Sequence, residues 1–323
     1  MTHRIIITEF MDASAVARLR ASFDVHYDPE LLDKRDELKA RIADTAALIV
    51  RNLTQVNREI LDAAKDLKVV GRLGVGLDNI DIDMCKARGI TVIPAAGANA
   101  LSVAEYVIGT SMLMLRGAYA SSEATAAGNW PRARLSLGAE LSGKTLGLVG
   151  FGEIGRLVAR LAQGLGMKVI AHDPMLLAGH QIWRQTGVTD RALDHLVAEA
   201  DVISLHVPLT GSTRNMFDTA RLRHMKKGAF LINTARGGIV DEAALAKSLI
   251  DGHLGGAAID VFAEEPLAAG SPLAKAVAAG VTNLVLTPHI AGLTIEANQR
   301  VSEMIAAGIA EFLEKLPRNQ ASR

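Results

Sequence analysis

Short apolar runs alternate along this chain with stretches in which apolar residues recur every three or four positions. In the first third the runs fall at 5–7, 25–27, 47–50, 69–73 and 91–94. They are apolar at consecutive rather than alternate positions, the pattern of strands buried on both faces. Helical spacing covers about 13–21, 30–43, 58–64 and 82–88 between them. Strand and helix in strict alternation predict a parallel sheet with helices on both faces. At Ala96-Gly-Ala-Asn99 the alternation stops. Ser102-Val-Ala-Glu105 then has the spacing of a capping box, and predicts a long helix from Ser102 to about Ala120 that crosses into a second domain.

The second domain repeats the alternation, with buried-strand runs at 146–149, 169–171, 201–205, 229–232, 257–260 and 284–286. A helix is predicted over 242–251. The last one, about 294–316, is long enough to return to the first domain. Two α/β domains joined by two crossings predict a cleft, with ligands beyond the strand C-termini.

One stretch organises the second domain. After the run 146–149, Gly150, Gly152 and Gly155 supply G-x-G-x-x-G spacing, and Ile154, Leu157, Val158, Leu161 and Leu165 follow at helical spacing. A further run, 169–171, leads to Asp173. This order is strand, tight turn, helix, parallel strand. Glycine lets backbone approach a pyrophosphate, the helix N-terminus meets its charge, and a carboxylate at Asp173 can accept a ribose diol. Asp173 would repel a 2′-phosphate, and Pro174-Met-Leu176 offers no arginine to hold one, so NAD is expected rather than NADP.

Composition narrows the class. The 323 residues, 49% of them hydrophobic, suit two domains with full cores. Lys+Arg and Asp+Glu balance at 35 each, so no net field points to nucleic acid or an anionic membrane. The single cysteine, Cys85, rules out an internal disulfide and a cysteine-rich metal site. No metal site is expected. The N-terminal apolar run is too short for a signal peptide, and 103–115 carries Glu105 and falls short of a membrane span. A cytoplasmic protein is the expectation.

Three polar residues stand just past predicted strands of the second domain: Arg236, Glu265 and His289. A nicotinamide enzyme needs a proton donor, a clamp for a substrate carboxylate and a group that stabilises the charged donor. Histidine, arginine and glutamate suit those tasks. The segments Asn233-Thr-Ala-Arg-Gly-Gly-Ile-Val-Asp-Glu242, Gly256-Ala-Ala-Ile-Asp-Val-Phe-Ala-Glu-Glu-Pro266 and Thr287-Pro-His-Ile-Ala-Gly292 resemble the D-isomer-specific 2-hydroxyacid dehydrogenases. The likeness extends through 99–105 and His206-Val-Pro-Leu-Thr210 over nearly the whole chain.

That resemblance implies a Rossmann NAD-binding domain, 99–292, and a discontinuous flavodoxin-like substrate domain, 1–98 with 293–323. It also implies roles. Arg236 would bind the substrate carboxylate and carbonyl, His289 would be the acid/base, and Glu265 would hydrogen-bond His289 and stabilise its imidazolium form. Cofactor contacts would come from Gly150, Gly152, Glu153, Ile154, Gly155, Asp173 and Pro174, and from His206, Val207 and Pro208 on the adenosine side. Asp260 would make one beside the nicotinamide, with others from Thr213, Thr234, Ala235, Arg236, His289 and Gly292. A homodimer, formed through the helix after Ser102 and its neighbours, is expected on the same ground.

The first domain carries a clue to substrate. Gly71-Arg-Leu-Gly-Val-Gly-Leu-Asp-Asn-Ile80 is a glycine-rich turn after a strand, and amides there can bind a carboxylate as a nest. Gly74, Val75 and Gly76 are the candidates. Arg51 and Arg72 lie beside it, and two cations there suit an acid with a second anion at its far end. The stretch 71–81 with 50–52 resembles 3-phosphoglycerate dehydrogenases, and the opening Ile7-Thr-Glu-Phe-Met-Asp12 resembles (S)-sulfolactate dehydrogenases. The (S) descriptor fits a D-like arrangement, because a CH2-sulfonate outranks the carboxylate in naming. Hydroxypyruvate or glyoxylate reduction is the alternative activity. An NAD-sensing corepressor is the alternative from another class, which the Arg236, Glu265 and His289 set disfavours. Trp130-Pro-Arg-Ala-Arg134 is expected to be an exposed loop.

Overall fold

The central strands of the first unit are buried because alternate residues feed two separate cores, while the edge strands are only partly covered. A computed structural model describes residues 3–316. It divides into two units, one built from the first 99 residues and the stretch from Leu293, the other from Ala100–Gly292. In the first unit β1 (Arg4–Ile7), β2 (Asp24–Tyr27), β3 (Ala47–Val50), β4 (Val69–Arg72) and β5 (Thr91–Pro94) form a parallel sheet in the order β2-β1-β3-β4-β5. Ile5, Ile7, Ile49 and Val69 point to one face and pack with Leu19, Ile305 and Ile309. Those partners come from the helices Ala13–Arg20 and Ile295–Glu314. Ile6, Leu48, Val50 and Val70 point to the other, against Leu38, Ile60, Leu61 and Cys85.

The second unit holds β6 (Thr145–Val149), β7 (Lys168–His172), β8 (Thr189–Asp190), β9 (Val202–Leu205), β10 (Phe230–Asn233), β11 (Gly256–Ile259) and β12 (Leu284–Leu286). Their order is β12-β11-β10-β9-β6-β7-β8, and every pair is parallel. The chain runs outward from β6 in one direction, then returns to β9 and runs outward in the other. The strand order therefore reverses between β6 and β9, the point where doubly wound sheets bind ligands.

Local chemistry moves some predicted boundaries. The stretch 30–43 is two pieces, a 3-10 turn Pro29–Leu32 and an α-helix Arg35–Arg41, since Asp33 and Lys34 bond back three residues instead of four. The long helix spans Ala100–Arg116, so Ser102 lies buried inside its first turn instead of standing ahead of it. It stops at Gly117, whose φ of 63° takes the left-handed form that ends helices. Among the described residues no helix is long and apolar enough to cross a membrane.

One contact in the first unit makes a sharp test. A Cβ at Gly71 would lie 2.7 Å from Ile305 Cγ2 and 3.2 Å from two carbons of Ile309, both side chains being fully buried. Gly71→Ala is expected to cost about 1–3 kcal/mol through overpacking, read as a lower Tm in thermal unfolding. An unchanged Tm would mean that the last helix is not seated firmly on β4.

Candidate active site

The residues singled out in the second unit lie past the C-terminal ends of its strands, where the connecting loops begin. Gly150 follows β6 with φ of 95°, and a Cβ there would come within 2.4 Å of the His206 carbonyl oxygen. A Cβ at Gly155 would lie 2.5 Å from the Gly150 oxygen. Both positions are closed to larger side chains. Gly152 is different: nothing lies within 4 Å of where its Cβ would be, and no side chain caps the helix Glu153–Gly164 that starts after it. Exposed backbone at an uncapped helix N-terminus, flanked by Glu153 and Ile154, fits a pyrophosphate.

Asp173 is the first residue past β7. One oxygen accepts the Phe151 N–H at 2.8 Å and the other the Met175 N–H at 2.9 Å. It braces the glycine turn, and each oxygen keeps a lone pair for a ribose hydroxyl. Pro174 beside it is exposed. His206 donates its N–H to Val149 at 2.7 Å, which carries Val207 and Pro208 across the end of β6. Its Nε2 is 3.0 Å from the buried Ser204 hydroxyl, and burial pushes the imidazole down to about 4. Thr213 donates its hydroxyl to the Pro208 oxygen and accepts the Thr210 N–H, both at 2.7 Å, and so shapes its own turn.

Arg236 sits in the turn after β10. Asn233, 2% exposed, brackets that turn: its Oδ1 accepts the Ala235 N–H at 3.1 Å and its Nδ2 donates to the Arg236 oxygen at 3.0 Å. Arg236 Nη1 donates to the Ala235 oxygen at 2.6 Å. The Thr234 hydroxyl oxygen is buried without a hydrogen-bond partner from the protein, which fits a polar atom of a bound ligand. A Cβ at Gly237 would lie 1.7 Å from the Phe262 oxygen, so the Arg236 turn packs directly on the segment that leads to Glu265.

His289 and Glu265 meet. His289 Nδ1 is 2.8 Å from Glu265 Oε2, while Oε1 accepts the Phe262 N–H at 3.0 Å. A carboxylate accepts, so Nδ1 carries the proton and Nε2 is left for exchange. His289 stands in the left-handed region, φ 55°, and donates its N–H to the Asp260 oxygen at 2.8 Å. The buried Asp260 side chain accepts from Thr287 Oγ1 at 2.5 Å and from the Ile290 and Ala291 N–H groups at 2.9 Å each. Tyr106 extends the chain by donating to Thr287 at 2.7 Å. These bonds assign Asp260 to holding the loop that carries His289. Gly292, partly buried, ends that loop.

In the first unit, the Gly74 N–H is spent on the Arg72 oxygen at 2.7 Å. The predicted nest therefore narrows to the amides of Val75 and Gly76. Arg72 folds back, with Nη1 donating to the Leu73 oxygen at 2.9 Å. Arg51 instead reaches Asn298, its Nη2 donating to Asn298 Oδ1, with its guanidinium 5.8 Å from the centre of the Phe10 ring. Trp130 is 75% exposed.

Sequence reasoning passed over Asn233, Tyr106, Thr287, Glu9 and Asn298. For Glu9 there was a signal, a carboxylate two residues past a wholly apolar strand. For Asn298, in mid-turn of a long helix, there was none.

A doubly wound sheet with an open glycine turn, a ribose-ready aspartate and a histidine paired to a glutamate defines a nicotinamide-dependent oxidoreductase. Residues 108–291 match the family model for the D-isomer specific 2-hydroxyacid dehydrogenase NAD binding domain. The (S)-sulfolactate dehydrogenase of Chromohalobacter salexigens is 53% identical over 92% of this chain and 94% of its own. The chloroplastic D-3-phosphoglycerate dehydrogenase 2 of Arabidopsis thaliana is 41% identical over 96% of the chain, which spans only 48% of that protein. The D-lactate dehydrogenase of Aquifex aeolicus, solved with NAD and lactic acid, superposes with a TM-score of 0.84 at 27% identity over 97% of this chain and 96% of its own. The chain belongs to the D-isomer-specific 2-hydroxyacid dehydrogenases, and it is an NAD-dependent enzyme.

The His206 environment fixes a pH response. An imidazole held near 4 in the fold and free near 6.5 once unfolded takes up its proton in the unfolded chain first, so stability falls as pH drops through that window. Between pH 7 and 5 the loss from this residue is about 2 kcal/mol. Denaturant unfolding of His206→Gln should show a shallower acid limb than the parent. Identical limbs would assign the acid sensitivity to other groups.

Proposed function

We propose that the chain oxidises and re-forms a 2-hydroxy acid that carries a second anionic group, sulfolactate or 3-phosphoglycerate. The second unit holds NAD and performs the proton chemistry. The observation that carries the catalytic part is the His289–Glu265 pair at 2.8 Å. In the reducing direction NADH, held at the glycine turn and by Asp173, would supply hydride to the 2-oxo carbon. His289 Nε2 donates the proton to the oxygen as negative charge develops on it. Glu265 accepts from Nδ1, which fixes the ring and leaves Nε2 as the nitrogen that exchanges the proton. Arg236 engages the carboxylate and carbonyl, and a planar guanidinium suits both. The Val75 and Gly76 amides add neutral donors for the carboxylate.

The 53% identity to a sulfolactate dehydrogenase supports the second anion, as do Arg51 and Arg72 at the ends of β3 and β4. NADH formation followed with sulfolactate, 3-phosphoglycerate, D-glycerate and D-lactate tests this, and D-lactate as the best substrate would sink it. His289→Ala is expected to bind NADH with parental affinity by fluorescence while losing about 10²- to 10⁴-fold in turnover. Near-parental turnover would remove His289 from the mechanism.

A homodimer is part of the same reading. Tyr119, Trp130 and Leu137 are 64%, 75% and 84% exposed within one short stretch, apolar side chains suited to burial against a second copy. Light scattering should give twice the 34.2 kDa chain mass, and a monomeric mass would reject it.

A further inference from the structure

The two arginines of the first unit, equivalent in the sequence, are not equivalent in the fold. Arg72 is turned onto its own loop, where Nη1 bonds the Leu73 oxygen. Arg51 is partly buried, and its guanidinium is held by two neutral groups, the Asn298 amide oxygen and the face of the Phe10 ring. Among the described residues no carboxylate pairs with it within 4 Å. The nearest candidate, Glu9, is 3% exposed and already committed: Oε1 accepts the Arg51 and Thr54 N–H groups at 2.8 and 3.0 Å, and Oε2 accepts the Leu53 N–H at 3.1 Å.

A cation withdrawn from water normally recovers its solvation from a carboxylate. Here burial lowers the Arg51 pKa, the sign of a charge that has lost solvent without full return. The amide and the ring fix the guanidinium in place without neutralising it, and the buried Glu9 carboxylate, too far for an ion pair, offsets the lost solvation only in part. Asn298 lies in the first turns of the helix Ile295–Glu314, and Phe10, 52% exposed, follows β1. The clamp therefore joins three elements far apart in sequence.

We propose that Asn298 and Phe10 are specificity-determining positioning residues, which hold Arg51 as the counter-cation for the far-end oxyanion of the substrate. The proposal rests on the second-anion reading given above. An asparagine is what this position needs: it accepts from the guanidinium without neutralising it. Aspartate there would make the same bond and cancel the charge.

The test compares kcat/KM for sulfolactate and 3-phosphoglycerate with that for D-lactate, in the parent and in Asn298→Asp, Asn298→Ala and Phe10→Leu. Asn298→Asp is expected to lower the ratio of doubly anionic to singly anionic acids about tenfold or more, through KM rather than kcat. Asn298→Ala and Phe10→Leu should lower it less, since they loosen the cation without cancelling it. A parent that prefers the doubly anionic acids, with a ratio unmoved in Asn298→Asp, overturns the clamp and leaves the second-anion reading standing. Equal losses on both classes show a purely structural role and also overturn it. A parent without that preference overturns both. A sulfonate keeps one charge across the assay range, whereas a phosphomonoester gains its second near pH 6. KM for 3-phosphoglycerate is therefore expected to fall through pH 6 and that for sulfolactate to stay flat, and a flat profile with both would overturn the role of Arg51 as counter-cation.

Discussion

A carboxylate placed just beyond the end of a buried strand must find donors at once, because the strand has carried it out of reach of bulk water. This constraint recurs at each working loop of the protein. Glu9, two residues past β1, takes its donors from the backbone of 51–54. Asp173, one past β7, takes the Phe151 amide of the glycine turn. Asp260, one past β11, takes Thr287, Ile290 and Ala291. In each case the acceptor sits on one strand and the donors on the loop of another, so satisfying the charge fixes the shape of the neighbouring loop. Asn233 does the same for the Arg236 turn with a neutral amide. Functional side chains sit on loops whose geometry is dictated from beneath by groups that do no chemistry themselves.

The cost of that arrangement appears at His289. A φ of 55° is unfavourable for a residue with a Cβ, and it persists only where surrounding bonds over-determine it. Here the His289 amide bonds the Asp260 carbonyl, the next two amides bond the Asp260 carboxylate, and Thr287 closes the loop from the other side. Tyr106 reaches Thr287 from the long helix, so even the hydroxyl in the chain is oriented. The imidazole is thereby aimed with little freedom, and Glu265 then selects which of its nitrogens carries the proton.

How far this was legible beforehand follows from the range of each interaction. Strands are plain because burial on both faces writes itself as a consecutive apolar run, and eleven of the twelve strands among the described residues fall on such runs; the two-residue β8 (Thr189–Asp190) does not, since two residues make no pattern. The glycine turn and the residues after β10, β11 and β12 were legible because their chemistry is local. The cap at Ser102 was misread: Ser-x-x-Glu spacing says nothing about whether the serine is needed for packing, and here it is buried. The break at Asp33 was missed because helical spacing continues across it. The Glu9 and Asp260 bonds join residues 31 to 45 apart at their longest, and no periodicity encodes them.

Arg51 and Arg72 show what that limit means for specificity. Both stand at strand ends, both are cations near a glycine loop, and sequence gives no reason to rank them. Only the fold shows that one spends a guanidinium N–H on its own backbone while the other is held by an amide and a ring with its charge intact. A family that shares one proton-transfer apparatus must separate its substrates elsewhere, with groups that act at the end of the molecule where no bond changes. A partly desolvated cation without a directly paired carboxylate is a strong discriminator of that kind. It gains most from an acid that brings the missing charge, and an acid lacking it leaves the site with an unmet cost. In this chain, then, an asparagine in a helix and a phenylalanine in a loop, neither of them reactive, stand closest to the choice of substrate.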